Sequence, residues 1–455
     1  MKKSKYLISV PYIYPVCPLS IDHAKIMLIA DINARIARCD GKEVCFPIAA
    51  HYSGVTAEKT IEKLKSNDIN VKNKERDKFI IGYKTPRNIV DGFDTPEKIL
   101  DYYTSQTILD LKRLGISCDY SNFYKTNTKD YENFVINIFQ NYESEGLLIE
   151  NIRKELALNY DEKKWRIKTS KNLNKLNFIS PNLKNNVISA IDNIRSDWGV
   201  LRNYGIGVKY KDNYVIDPMF DSELFVIYDL FKKFEKQNIE ENTSKLFKEV
   251  LRYLKGDKTV DKKNKIIKLI ANWLPTDLFV CEEHLKNWIV KKTFAESLIF
   301  EDKYQTRNYF ITGMGYIDGK RMSSSRGTAI LLKDLLDSYG SSITRMIILF
   351  TGGHPSKMYN YSTENIEIIK KMLNEFYDFL VYLNGKLLDI DCGDDYIDEF
   401  DKLKENLSCG FYQQVLVDIM KNLKKKYYNS DINTLKKLKN TVNYFIYILL
   451  PDLKI

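Results

Sequence analysis

Nowhere in the 455 residues does an apolar run approach the roughly 18–20 residues that a membrane-spanning helix needs, so a membrane protein is not expected. The opening MKKSKYLISVPYIYP also lacks the apolar stretch and small-residue cleavage site of a secretory signal, and the cytoplasm is the expected location. Cysteine pairs are missing too. Seven cysteines are scattered at Cys17, Cys39, Cys45, Cys118, Cys281, Cys392 and Cys409 with no CxxC spacing. An odd, dispersed set indicates neither a disulfide framework nor a cysteine zinc site, and leaves small apolar residues expected in the interior. The four histidines (His23, His51, His284, His354) are equally dispersed, so no resident metal site is indicated. There is no solenoid-type repeat and no low-complexity tract.

What is present is bulk and positive charge. With 44% hydrophobic residues the chain can bury a large core, and because single cores stop growing near roughly 250–300 residues, two or three units are expected. The 70 basic residues against 60 acidic ones give a net charge of +10. That balance favours a polyanionic partner without demanding one, since a Lys-rich composition raises the same count without function.

Residues 6–10 read as a short apolar strand, residues 11–18 as a Pro-broken loop, residues 24–38 as a helix and residues 44–48 as a second strand. A loop placed so lies at the carboxyl end of a strand, where open parallel sheets bind ligands. Residues 97–115 and 130–148 are expected amphipathic helices, with Val135, Ile138, Phe139 and Tyr142 on one face of the second. Residues 150–195 are Lys- and Asn-rich without strong period and read as a connector or small insertion. Strands are expected again at 214–216 and 309–317, and 236–270 reads as a charged helical insertion. Beyond residue 361 the pattern is helical, with Ile369, Met372, Phe376, Phe379 and Leu383 in one stripe.

Two loops could hold a nucleotide. In the first, Pro18-Leu19-Ser20-Ile21-Asp22-His23 opens into a helix, so its backbone N–H groups can face an anion with His23 beside them. Taken alone, a histidine there is more commonly a cap or a packing residue. The second loop, residues 318–328, gathers Lys320, Arg321, Arg326 and Ser323, Ser324, Ser325 between Gly319 and Gly327. Cations neutralise phosphate oxygens, hydroxyls add hydrogen bonds and glycines let the backbone approach closely. The bland alternative is a solvated Ser-rich turn.

RMSSSRG (321–327), set between a strand and a helix at 334–339, resembles the KMSKS loop of class I aminoacyl-tRNA synthetases, and PLSIDH resembles their HIGH loop, about three hundred residues earlier. GKEVCFPIAAHYSGVTAEK (41–59) is similar to the leucyl-type segment that ends in a His-x-Thr-Gly motif, here His51-Tyr52-Ser53-Gly54. The stretches 99–131, RSDWGVLRNYGIGVKY (195–210), IDPMFDSELFVIYDL (216–230) and WLPTDLFVCEEHLKNW (273–288) follow in the same order. Together they resemble leucyl-tRNA synthetases of the archaeal and eukaryotic type, as a cut-down relative.

The resemblance implies an α/β fold: a Rossmann-like, HUP-type parallel-sheet catalytic domain with its first half at 1–150, a short connective segment at 151–195, its second half at 196–360, and an α-helical bundle tail at 361–455. It implies ATP and Mg2+, an amino acid such as leucine, and an aminoacyl adenylate that acylates the acceptor end of tRNA or another acceptor. His23, Lys320, Arg321 and Ser324 would be catalytic. Tyr12, Ser20, Asp22, His23, Gly313, Gly315, Met322, Ser323, Ser325 and Arg326 would line the nucleotide, and Tyr12, His51 and Ser53 the amino acid. Ser20 stands where the family has histidine and Asp22 where it has glycine. Only about thirty residues separate Trp165 from Arg195, where relatives insert an editing domain, so no editing is expected. A non-tRNA acceptor and a non-catalytic pseudo-synthetase that binds amino acid or tRNA remain as alternatives. Oligomeric state is not readable, with a monomer as the default.

Overall fold

Tyr6, Leu7 and Ile8 place buried side chains in β1 (Lys5–Ser9), to which short strands add on both sides. In this computed structural model the described residues are 3–150, 156–158, 163–174, 177–178, 181–193, 198–211, 214–234, 243–260, 264–317, 319–322, 328–387 and 395–453. β2 (Glu43–Cys45), β3 (Asn177–Phe178), β4 (Thr276–Cys281) and β5 (Asn308–Thr312) complete a five-stranded sheet in the order β2-β1-β4-β5-β3. β1 pairs in parallel with β2 and β4, with Leu7 opposite Thr276, and β5 pairs in parallel with β3. All six residues of β4 are buried, as the near-continuous apolar strand of a parallel sheet covered on both faces must be. β2 is shorter than the expected strand at 44–48.

The chain forms two compact units, interleaved in sequence: Met1–Cys17, Gly41–Gln106 and Cys118–Ile311 in the first, Pro18–Asp40, Thr107–Ser117 and Thr312–Ile455 in the second. The first unit centres on the sheet and on helices Lys129–Ser144, Phe225–Phe234 and Val290–Ile299. Val135, Ile138, Phe139 and Tyr142 are buried, as their spacing predicts. Residues 150–195 are more than a connector. They hold helices Lys163–Asn174 and Pro181–Asp192, and Leu183, Val187 and Ile191 recur every four residues to bury one narrow face of the second. With Ile188 and Ala190 off that face and Asn, Lys and Ser between, the three buried positions give a weak periodic signal.

The second unit is mainly helical: Ile21–Cys39, Leu332–Phe350 with a break at Gly340 (φ 70°), Glu364–Lys386 and Ile432–Leu449. The predicted stripe from Ile369 to Leu383 is buried. The expected strand at 309–317 is broken at Gly313 and Met314. Its second half, β6 (Gly315–Ile317), pairs with β7 (Lys320–Arg321) and β8 (Tyr359–Asn360) in a separate small sheet. Cys45, Cys118 and Cys281 are buried as expected, whereas Cys39 and Cys409 are exposed, because they sit at helix ends on the surface; Cys392 lies outside the described residues. Among the described residues no helix is long and apolar enough to cross a membrane.

Four helices of this unit meet at one buried guanidinium. Arg345 is fully buried, and its Nη2 donates to Asp31 Oδ2 (3.1 Å) and to the Ile448 carbonyl (3.1 Å). Its Nε donates to the Leu449 carbonyl (2.7 Å) and its Nη1 to the Leu114 carbonyl (3.0 Å). Asp31, also fully buried, accepts from Arg35 Nε (2.9 Å), Ser117 N (2.8 Å) and Ser117 Oγ (2.6 Å). Arg345 thus satisfies the last carbonyls of the Ile432–Leu449 helix, which have no partner within the helix. Arg345→Met is expected to lower the unfolding free energy by about 3–5 kcal/mol, because it removes one charge of a buried network and orphans three carbonyls. Urea unfolding followed by circular dichroism measures this, and an unchanged midpoint would show the network to be dispensable.

Asp110, buried near the end of helix Pro96–Arg113, has its carboxyl pushed up to about 6 by burial, against the opposing charges of Arg113 and Lys333. A carboxyl raised above its unfolded value near 3.9 contributes stability that is complete below about pH 4 and is lost as pH rises through about 6. Asp110→Asn is therefore expected to unfold at higher urea than the parent at pH 8, with the gap closing toward pH 4. A gap that widens on acidification would contradict this sign.

Candidate functional site

In the first unit, two of the sequence blocks clasp through their glycines. Gly54, at φ 111°, exchanges two backbone hydrogen bonds with Ile206 (2.8 and 3.0 Å). A Cβ on Gly205 would lie 3.1 Å from the Gly54 carbonyl oxygen, and one on Gly207 would lie 2.6 Å from Ser53 Oγ. The His51-Tyr52-Ser53-Gly54 turn is thereby pressed onto Gly205-Ile206-Gly207, an approach only glycine permits. It buries Ser53, which does not line the adjoining cavity, because its hydroxyl faces Gly207. The placement of Ser53 against an amino acid is corrected accordingly.

That cavity measures about 370 Å3 and is walled by Tyr12, His51, Met219, His284, Asn287 and Trp288, among others. Its size falls at the small end of ligand pockets, enough for an amino acid. Its walls come from the strand-to-helix loop, the His51 turn, the Pro218–Asp221 helix and the segment after β4. Tyr12 contributes its ring and not its hydroxyl. The hydroxyl turns inward to Tyr124, to Asp229 Oδ1 (3.1 Å) and to the Phe225 carbonyl (3.2 Å). His51 Nε2 donates to Asp221 Oδ1 at 2.6 Å, orienting its ring beside Tyr12. Trp288 Nε1 donates to Ser222 Oγ at 2.9 Å, which holds the indole as a wall.

Behind the wall lie buried charges that the sequence did not point to. Burial pushes the carboxyls of Asp229 and Glu223 well above the usual carboxylate range. Burial pulls the Lys291 ammonium down to about 8, with Asp217 and Glu223 opposing, and Lys291 Nζ lies 3.7 Å from the Trp198 ring centroid. Asp229 and Glu223 therefore hold a proton more tightly than free carboxyls, and Lys291 is a weaker base than a free lysine.

In the second unit, Ser20 caps the Ile21–Cys39 helix without bonding its backbone. Its Oγ instead contacts His23 Nδ1 (2.9 Å), and His23 is exposed. The segment is pinned by Ile21 N donating to the Ile330 carbonyl (2.9 Å) and Leu332 N donating to the Leu19 carbonyl (2.8 Å). The HIGH-like turn and the segment that follows the KMSKS-like loop are therefore stitched together. Asp22 Oδ1 accepts from Tyr359 Oη (2.7 Å), and Lys25 Nζ lies 4.4 Å from the same ring's centroid. Lys25, a buried cation one turn into the helix, and Tyr359 are site neighbours that sequence reasoning missed. Only the i, i+3 spacing from Asp22 could have signalled Lys25.

Lys320 and Arg321 are exposed on β7, with Arg321 Nη2 3.8 Å from Met314 Sδ. Met322 is buried and its N donates to the Gly315 carbonyl (3.0 Å), so it anchors the loop. Gly313 and Gly315 approach protein: a Cβ would meet the Lys357 carbonyl oxygen at 2.2 Å, or Met322 Cε at 1.9 Å and Tyr359 at 2.8 Å. Their lack of a side chain is explained by this packing. Ser323, Ser324, Ser325 and Arg326 lie outside the described residues. Among the described residues no group of three His, Cys, Asp or Glu side chains could hold a metal ion.

Known proteins agree with this construction. The model of class I tRNA synthetases (I, L, M and V) matches residues 1–165. Leucine–tRNA ligase of Methanococcoides burtonii is 25% identical over 245 residues, 51% of this chain and 25% of its own length. That of Nanoarchaeum equitans is 24% identical over 318 residues, 66% of this chain and 31% of its own length. The chain is similar to class I synthetases of the leucyl kind, by the family model over residues 1–165 and by relatives that align with up to 66% of it. It spans about a quarter to a third of these relatives' length. The ternary LeuRS–tRNA–LeuAMS complex of Agrobacterium radiobacter superimposes with a TM-score of 0.66 at 11% identity, covering 99% of this chain and 84% of that one. Mycobacterium tuberculosis methionyl-tRNA synthetase with methionyl-adenylate gives 0.63 at 14% identity, covering 99% and 92%. At these identities the superpositions establish a class I synthetase fold, as the sequence predicts.

For this synthetase-like chain, Gly313→Ala is expected to lower stability by roughly 1–3 kcal/mol through overpacking against the Lys357 backbone. Gly385→Ala, in a helix with nothing near the added methyl, should be neutral or stabilising by up to about 1 kcal/mol. Thermal unfolding of the two variants separates them, and equal melting temperatures would contradict the close packing at Gly313.

Proposed function

We propose that this chain activates an aliphatic amino acid, leucine or one similar, with ATP to form an aminoacyl adenylate, and passes the aminoacyl group to an acceptor hydroxyl, that of tRNA in the first instance. The observation that carries this reading is the cavity of about 370 Å3, walled by the loop that holds Tyr12 and by residues of three separate leucyl-like blocks. His51, oriented by Asp221, and the Trp288 wall would select the amino acid. His23, Lys25, Lys320 and Arg321, with the serines of the loop, would hold triphosphate oxygens. Mg2+ would arrive on the nucleotide's phosphates. Catalysis would then be positioning plus charge stabilisation: the carboxylate attacks the α-phosphorus and the P–O bond to pyrophosphate breaks. The stretch of about thirty residues between Trp165 and Arg195 supports a reaction without editing. Cavity shape alone would then set fidelity, about 10–200-fold for one methylene.

A second reading is favoured by one contact. Asp22, accepting from Tyr359 where relatives carry glycine, puts a carboxylate at the turn that would meet phosphates. In that case the cavity binds an amino acid without adenylation.

Amino-acid-dependent ATP–pyrophosphate exchange across the standard amino acids separates the two. Exchange with an aliphatic amino acid is expected, and Lys320→Ala with Arg321→Ala should lower it by about 10²-fold or more. Calorimetric binding of an amino acid with no exchange would establish the second reading and overturn the first.

A further inference from the structure

At the opposite, amino-terminal end of the first unit's sheet, four cations are held on two aromatic rings. Lys5 and Lys233 lie 4.9 and 4.8 Å from the Trp273 ring centroid, and Lys42 and Arg307 lie 5.5 and 5.8 Å from that of Tyr6. Both rings are buried, so they serve as platforms for the cations. Lys3, Lys5, Arg307 and the Asn272 amide, with Trp273 and Pro275, line a cavity of about 250 Å3. The facing acids are few. Asp277 accepts from Arg307 Nε and from Asn308 Nδ2, both at 2.9 Å, and Glu43 is exposed opposite Lys5 in the β1–β2 register. Counting Lys3, five cations face two carboxylates among the described residues. Gathering like charges this way opposes folding unless an anion offsets it.

We infer that this end of the sheet is a phosphate-binding surface, and that its ligand is an RNA backbone with one phosphate seated in the cavity. The chemistry is that of phosphate oxygens: Lys3 and Lys5 supply point charges, Arg307 a planar donor fork and Asn272 a neutral donor. The cavity is smaller than the roughly 300 Å3 at which pockets begin to enclose whole small ligands, so the phosphate belongs to something that lies across the surface. The row from Lys42 through Tyr6, Arg307 and Lys5 to Lys233 supplies the track. The choice of RNA as the source rests on the proposed function; the phosphate chemistry does not.

The test is fluorescence anisotropy of labelled bulk tRNA with the full chain, over a series of salt concentrations, with inorganic tripolyphosphate as competitor. Lys3→Gln with Lys5→Gln, and separately Lys42→Gln, change partly or fully exposed side chains and should keep the parent's melting curve. Lys371→Gln, on an exposed helix face of the second unit, is the control. The double variant is expected to weaken RNA binding several-fold and to flatten the plot of log affinity against log salt by roughly 0.7 per lost phosphate contact, with the control unchanged. RNA affinity and slope equal to the parent's would overturn the inference. Tripolyphosphate binding that falls in the double variant while RNA binding does not would overturn RNA as the source. Because the readout is binding, exchange activity in these variants should stay at the parent's level, so failure here is distinguishable from failure of the proposed activation chemistry.

Discussion

The second unit depends on a single buried charge pair. Arg345 and Asp31 are both sealed from water, a placement that would oppose folding if either stood alone. It is tolerated because every nitrogen of the guanidinium has an acceptor and Asp31 has three further donors, from Arg35 and from the Ser117 backbone and hydroxyl. The pair fixes the helix that begins with the HIGH-like turn, the end of the Pro96–Arg113 helix, the helix that follows the KMSKS-like loop, and the last helix. A hydrogen-bonded network of this kind specifies one arrangement more sharply than apolar packing can, since each acceptor has a direction. The backbone bonds from Leu19 and Ile21 to the Ile330–Leu332 segment carry that arrangement to the HIGH-like turn.

The same economy of backbone governs the glycines. Gly54 with Gly205 and Gly207 in the first unit, and Gly313 with Gly315 in the second, let chain segments close to distances that a methyl group would forbid. Neighbouring aromatic, thioether and aliphatic side chains fill the remaining volume: Tyr359 and Met322 in one unit, Tyr14 and Val55 in the other. The cavity beside His51 follows from that closure, because His51 is held by Asp221 on the far side of the turn that Gly54 permits.

Much of the fold was legible in the sequence, and the reasons are physical. A short apolar strand such as β1, and helices with wide apolar stripes, such as Glu364–Lys386, leave a clear trace, whereas β4, apolar throughout, was not read as a strand. Narrow faces do not, as with Pro181–Asp192. The break at Gly313 was hidden because β5 and β6 form one apolar run whose halves join different sheets. For the site, residue types and motif order identified His51 and the cavity-lining blocks, yet the inward turn of the Tyr12 hydroxyl and the burial of Ser53 depend on contacts hundreds or tens of residues away. Lys25, Tyr359, Glu223 and Lys291 carried no local signal, because what distinguishes each is a tertiary neighbour or its burial.

The claim that most depends on direct measurement is that the first unit's cavity accepts the amino-acid end of an aminoacyl adenylate. Isothermal titration with leucyl sulfamoyl-adenosine, a stable mimic of leucyl adenylate, addresses it, using the parent chain and Met219→Trp, which fills the cavity from its wall. The account expects saturable one-to-one binding by the parent and its loss in the variant, with the fold retained. Absence of binding by the parent, or binding equally tight in Met219→Trp, would contradict it.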